Sequence, residues 1–189
     1  MRISNTAASS VAATKPYVGG SWTRNIAAMA IGSALLAVSA HLQVPFWPVR
    51  LSMQSFVVLA IGVACGGMLG ATTVLAYLAE GALGLPVFQS GAGLAYMAGP
   101  TGGYLLGFLL SASAVGTLAD RGAMRSWPGI VAVLFLGELL IHLPGVAWLA
   151  VLFGPAKGIA FGLLPFLPAE ALKLALAAAA TPFLRRPAR

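Results

Sequence analysis

Long apolar runs alternate along this chain with short breaks rich in proline, glycine or charge, and that pattern predicts membrane-crossing helices. The first apolar run extends from Trp22 to about Leu42. It ends in Gln43–Ser52, where Pro45 and Pro48 forbid a regular helix and Phe46 and Trp47 suit a bilayer interface. Two shorter runs, about 53–67 and 69–82, are joined only by glycines and predict helices two and three. A long break follows, Glu80–Tyr104, rich in glycine and carrying Pro86 and Pro100. Helix four is expected from about Thr101 to Leu118, ending at Asp120-Arg121. Helix five is expected from about Pro128 to Phe153, with Pro144-Gly145 as a kink. Residues 154–166 read as an apolar loop with a short helical piece, and helix six runs from Pro168, a residue suited to a first turn, to about Phe183. The fold class is therefore all-α: an integral membrane bundle of six transmembrane helices.

Composition agrees. Of 189 residues, 59% are hydrophobic and 8% charged, with mean hydropathy +0.92; a soluble domain carries about a quarter charged residues. The expected organisation is a disordered cytoplasmic tail at 1–21, one six-helix transmembrane domain at 22–184 and a basic cytoplasmic tail at 185–189. Val38–Ala40 resembles a signal-cleavage site, but the long preceding tail and the downstream membrane character argue against cleavage. The net charge of +7 raises nucleic acid as a partner, yet the basic residues gather at segment ends: Arg2, Lys15 and Arg24, then Arg121 and Arg125, then Arg185, Arg186 and Arg189. That is the positive-inside pattern, with lipid as the partner and both termini cytoplasmic. It also places the connections 43–52, 82–100 and 154–167 on the outer face. The single cysteine, Cys65, excludes an internal disulfide and a cysteine-based zinc site. No convincing internal repeat is present, which counts against an inverted-repeat transporter.

Ionisable residues inside spans are few, and such groups mark function by default. Glu170 and Lys173, at i,i+3, share a face near the outer end of helix six, where the dipole of the first turn favours a carboxylate. The pair reads as a ligand site, against the plainer reading of an internal ion pair. Glu138 and His142 form a second pair, at i,i+4, read as a structural hydrogen bond. Glu80 reads as a cap or interface charge. His41 and His142 are a weak signal for haem, and neither a metal nor a cofactor is expected. Polar and aromatic groups near the breaks add Gln54, Tyr77, Gln89, Ser90, Tyr96 and Tyr104; buried Gln54 needs a partner. Ala30 and Ala34 on helix one, with Gly32 nearby, are spaced for close approach of another helix. Neither G-x-S-x-G nor a Walker A motif occurs, so the chain is not read as an enzyme and any ATP use belongs to partners.

Four segments carry a family resemblance: VRLSMQSF (49–56), YLAEGALGLPVF (77–88), GPTGGYLLGF (99–108) and LPAEALK (167–173). The chain resembles, over about residues 24–184, the BioY family, the biotin-binding S components of energy-coupling-factor (ECF) transporters. The resemblance implies an S-component-like fold and high-affinity biotin uptake across the bacterial cytoplasmic membrane. It places biotin near the outer face, held by the loops and the outer ends of helices four to six. It implies an energising module of one coupling protein and two ATPase subunits, docked through small residues of helix one, which gives Ala30 and Ala34 a role. Some members are encoded without that module. The site set is then Glu170, Lys173, Gln54, Gln89, Ser90, Tyr96 and Tyr104. Three departures stand out. Glu170 replaces a residue that is commonly Asp. Arg50 stands where an uncharged residue is usual and is read as facing water. The Asn found in some relatives is absent from the glycine-rich loop, so Gln89 or Ser90 substitutes. A solitary transporter or channel is the rival reading, a membrane enzyme the third, and homo-oligomerisation stays open.

Overall fold

The computed structural model describes residues 22–44 and 48–184. The expected tails at 1–21 and 185–189, the helix-breaking Pro45, and Phe46 and Trp47, expected at the interface, lie outside the described residues. Among the described residues, six main helices make the bundle: α1 (Trp22–His41), α2 (Gln54–Cys65), α3 (Gly67–Ala82), α5 (Gly102–Asp120), α6 (Trp127–Phe153) and α8 (Leu167–Leu184). Two short helices, α4 (Gly93–Met97) and α7 (Pro155–Gly162), lie in the connections. The main helices begin and end within three residues of the expected runs. Pattern alone did not reveal α4, because five residues are too few to show a period. It also missed a small antiparallel pairing of β1 (Gln43–Val44) with β2 (Leu51–Ser52), in register Gln43↔Ser52 and Val44↔Leu51.

Among the described residues, four helices are long and apolar enough to cross a bilayer: α1, α5, α6 and α8. At 12 and 16 residues, α2 and α3 are shorter. Their junction is a single glycine. Gly66 has φ +81°, and a Cβ there would lie 2.5 Å from Asp120 Oδ1. The Asp120 carboxylate instead accepts the Gly67 N–H at 2.9 Å, so the last residue of α5 caps the start of α3. Helix α6 runs unbroken through Pro144, and α5 fits closely against it. A Cβ on Gly107 would lie 2.6 Å from the Ile141 carbonyl oxygen, and one on Gly103 2.3 Å from that of Pro144. With no hydrophobic force to drive apolar helices together in lipid, such close packing is what holds a bundle.

The interior divides along its length. Leu36, Val58, Val74, Tyr77, Phe88, Tyr104, Phe108, Ile141 and Phe166 fill one end, and Leu59, Val63, Val115, Met124, Val133 and Leu134 the other. The first end also carries the hairpin, the 83–101 connection and α7, tied together by side chains. Gln89 Nε2 donates to Ser52 Oγ at 2.7 Å, Gln43 Nε2 to the Gln89 carbonyl at 3.1 Å, and Tyr104 to the Gly162 carbonyl at 2.6 Å. Large apolar side chains such as Ile31, Leu35, Val38, Leu106, Phe135 and Leu172 cover the outside, as lipid contact requires.

Candidate functional site

The first turn of α8 positions the charged pair. Glu170 and Lys173 are both buried, at 9% and 6% exposure, and face α2. Lys173 Nζ donates to Glu170 Oε1 at 2.7 Å, to Ser55 Oγ at 3.1 Å and to the Ser52 carbonyl. Ser55 in turn donates to Glu170 Oε2 at 2.8 Å. Taking each ion out of water costs several kcal/mol, and only close pairing with further hydrogen bonds offsets it. All three ammonium donors are engaged. Glu170 itself lines a cleft.

That cleft is open to solvent, and the space between its walls comes to about 330 Å³ only when the solvent at its mouth is counted. Its polar lining is Arg50, Ser52, Ser55, Gln89, Thr101 and Glu170; its apolar and aromatic lining is Val49, Tyr104, Phe108, Ile141, Phe166 and the ring of His142. Tyr104 and Phe166 stack with centroids 5.8 Å apart, and His142 sits edge-on to both. The arrangement offers a buried anionic acceptor, hydroxyl and amide groups, and a flat aromatic wall. Those features suit a compact polar ring joined to an apolar body.

The expected residues distribute unevenly around this cleft. Glu170, Gln89 and Tyr104 line it. Lys173 does not; it stands behind Glu170 and holds it. Gln54 is buried but turned away, donating to the Tyr77 hydroxyl at 2.7 Å, and Tyr77 donates to the Val87 carbonyl at 3.1 Å. Tyr96 stacks on Phe88 with centroids 5.0 Å apart, and Ser90 is exposed; neither lines the cleft. Arg50 is exposed and forms part of the cleft lining. The Glu138–His142 pair contacts mainly through the backbone, with His142 Nδ1 3.0 Å from the Glu138 carbonyl and 3.6 Å from its Oε2. Glu80 is an interface charge: Ser33 of α1 donates to it. His41 rests on the Ala37 carbonyl at the exposed end of α1.

Ser52, Ser55, Thr101 and, of the aromatic wall, Phe166 escaped the sequence reading. The nearest available signal was the polar cluster Ser52, Gln54 and Ser55 in an apolar stretch. Successive helical residues differ by about 100°, which sends Gln54 toward α3 and Ser55 toward α8. Only the packing shows which neighbour carries the charge. On α1, Gly32 faces inward, where a Cβ would meet Thr73 of α3 at 2.5 Å, while Ala30 and Ala34 lie on the exposed side.

Comparison with known proteins agrees with this architecture. The model of the BioY family matches residues 6–189. A probable biotin transporter BioY of Pyrococcus horikoshii is 36% identical over 155 residues, covering 82% of this chain and 91% of that protein. The biotin transporter BioY of Thermotoga maritima is 36% identical over 157 residues, covering 82% and 92%. That of Rhizobium etli is 32% identical over 168 residues, covering 82% and 90%. In fold, the chain is similar to a crystal structure of the S-component for biotin from an ECF-type ABC transporter, with TM-score 0.72 and 24% identity over 86% of this chain and 90% of that one. These likenesses run over most of the chain, and the chain belongs to the BioY family.

Proposed function

We propose that this protein binds biotin in the cleft between the hairpin, α5, α6 and α8, and serves as the S component of an ECF transporter rather than as an enzyme. The observation that carries the proposal is the buried Glu170 carboxylate, held by Lys173 and Ser55 in a residue that lines the cleft. Biotin joins a planar ureido ring to an apolar thiophane and a carboxylated tail. Its ureido N–H groups need an acceptor, which Glu170 supplies; a charge-assisted bond of this kind is among the strong ones. The stacked Tyr104 and Phe166 suit the thiophane, and Gln89 reaches the cleft as a second polar contact. In this reading Lys173 acts through Glu170, while Gln54, Ser90 and Tyr96 shape the surrounding loops. The names of the relatives support biotin as the ligand.

Clustering of Arg24, Arg121 and Arg125 at predicted inner segment ends supports cytoplasmic termini and a cleft that opens outward. Ala30 and Ala34, exposed on α1, form the face for the membrane-embedded coupling protein, and the ATPase subunits join through it. Titration of the purified protein with biotin, desthiobiotin and thiamine tests the ligand. Biotin should bind with clear preference over thiamine, and Glu170→Ala should weaken it by about 1–3 kcal/mol. An unchanged affinity in a folded Glu170→Ala protein overturns the assignment. Biotin uptake in cells that lack ECF ATPases would favour a solitary transporter instead.

A further inference from the structure

We propose that Arg50 receives the carboxylate of the ligand and makes this site selective for the anionic form of its substrate. The inference rests on the biotin reading and adds a specificity-determining residue to it. Two cations stand near the cleft. Lys173 is spent: its three N–H donors already go to Glu170, Ser55 and the Ser52 carbonyl, and its charge is neutralised by Glu170. Arg50, at the rim, makes no ion pair among the described residues.

Its main chain is nevertheless fixed. Arg50 directly precedes β2, with Val49 buried beside it, and its carbonyl accepts Gln89 Nε2 at 3.4 Å. The same amide holds Ser52 Oγ at 2.7 Å, so one glutamine latches the hairpin to the 83–101 connection. A flexible side chain therefore hangs from an anchored backbone at the cleft mouth. The chemistry of the ligand meets this geometry. With the ureido ring on Glu170, the tail runs outward, and a carboxylate kept near water avoids the penalty of full burial. A guanidinium presents parallel N–H groups that match both carboxylate oxygens.

The test uses the full-length protein in detergent, titrated with biotin and with biotin amide, which keeps the ring system but carries no charge. The wild type should bind biotin about tenfold more tightly than the amide, a difference of about 1.4 kcal/mol. Arg50→Gln should lose that preference, bind biotin at the level of the amide and leave amide binding within about twofold, which also shows that it is folded. Arg50→Lys should recover part of the preference, and added salt should shrink it in the wild type. If Arg50→Gln keeps the wild-type preference, or weakens both ligands equally, the inference is overturned while biotin binding stands. If the wild type binds neither ligand, the biotin reading itself fails, and this inference with it.

Discussion

Glu170 and Lys173 form a buried ion pair at the edge of the cleft, so its stability and the proposed recognition are linked. Within the bundle each charge is tolerable only because the other is 2.7 Å away and Ser55 bridges them. Removing one partner strands the other, which costs more than removing both. Lys173→Met is therefore expected to destabilise the protein by about 3 kcal/mol, and Glu170→Gln combined with Lys173→Met by less than Lys173→Met alone. Thermal unfolding in detergent measures this, and a double variant no more stable than the single lysine variant would refute the coupling. Ser55→Ala should weaken biotin binding by about 1 kcal/mol by loosening Glu170, a residue the cleft touches. Legibility was uneven at this scale. The i,i+3 spacing and the rarity of membrane charges exposed the pair. Nothing in the spacing showed that Lys173 would have all its donors occupied, or that Ser55 rather than Gln54 would complete the site.

Among the elements, the contact of α5 with α6 decides the shape of the cleft, because Tyr104 and Phe108 come from one and Ile141 and His142 from the other. Gly107 lets these helices meet with a would-be Cβ 2.6 Å from the Ile141 carbonyl. Gly107→Ala should push α6 outward, lower stability by about 1–3 kcal/mol and weaken biotin binding together. Gly66→Ala makes the contrast. It forces a side chain onto φ +81° beside Asp120, at the end away from the cleft. It should lower the melting temperature while leaving the affinity of the folded protein unchanged. Unfolding and titration on both variants separate the two effects; equal loss of affinity in both would refute the division of the bundle into a binding end and a supporting end. Helix positions were readable from apolar runs. Which glycines are contacts and which are turns was not, since both look alike in a sequence.

For the whole molecule, the exposed face of α1 and the orientation in the membrane are the properties that matter to transport. Gly32 and Leu36 turn toward α3, leaving Ala30 and Ala34 on the outside. Ala30→Trp should abolish co-purification with a coupling protein and leave biotin affinity intact, since the cleft lies elsewhere; retained assembly would refute the docking face. In a Cys65→Ala background, a cysteine at exposed Ser90 should react with an impermeant thiol reagent in intact cells, and one at exposed Arg125 should not; the reverse labelling would invert the topology. The sequence by itself determined the membrane class, the helices and the isolated charges, because hydropathy, proline and glycine punctuation and the scarcity of ionisable groups are local properties that lipid enforces. Four motif segments also carried the family. The tertiary structure alone decided that the hairpin, the glycine-rich connection, α5, α6 and α8 converge on one cleft, that Lys173 supports rather than lines it, and that Arg50 stands at its mouth. Those outcomes depend on the relative rotation of packed helices and on contacts between residues up to 121 positions apart, such as Lys173 with Ser52, and no local pattern encodes them.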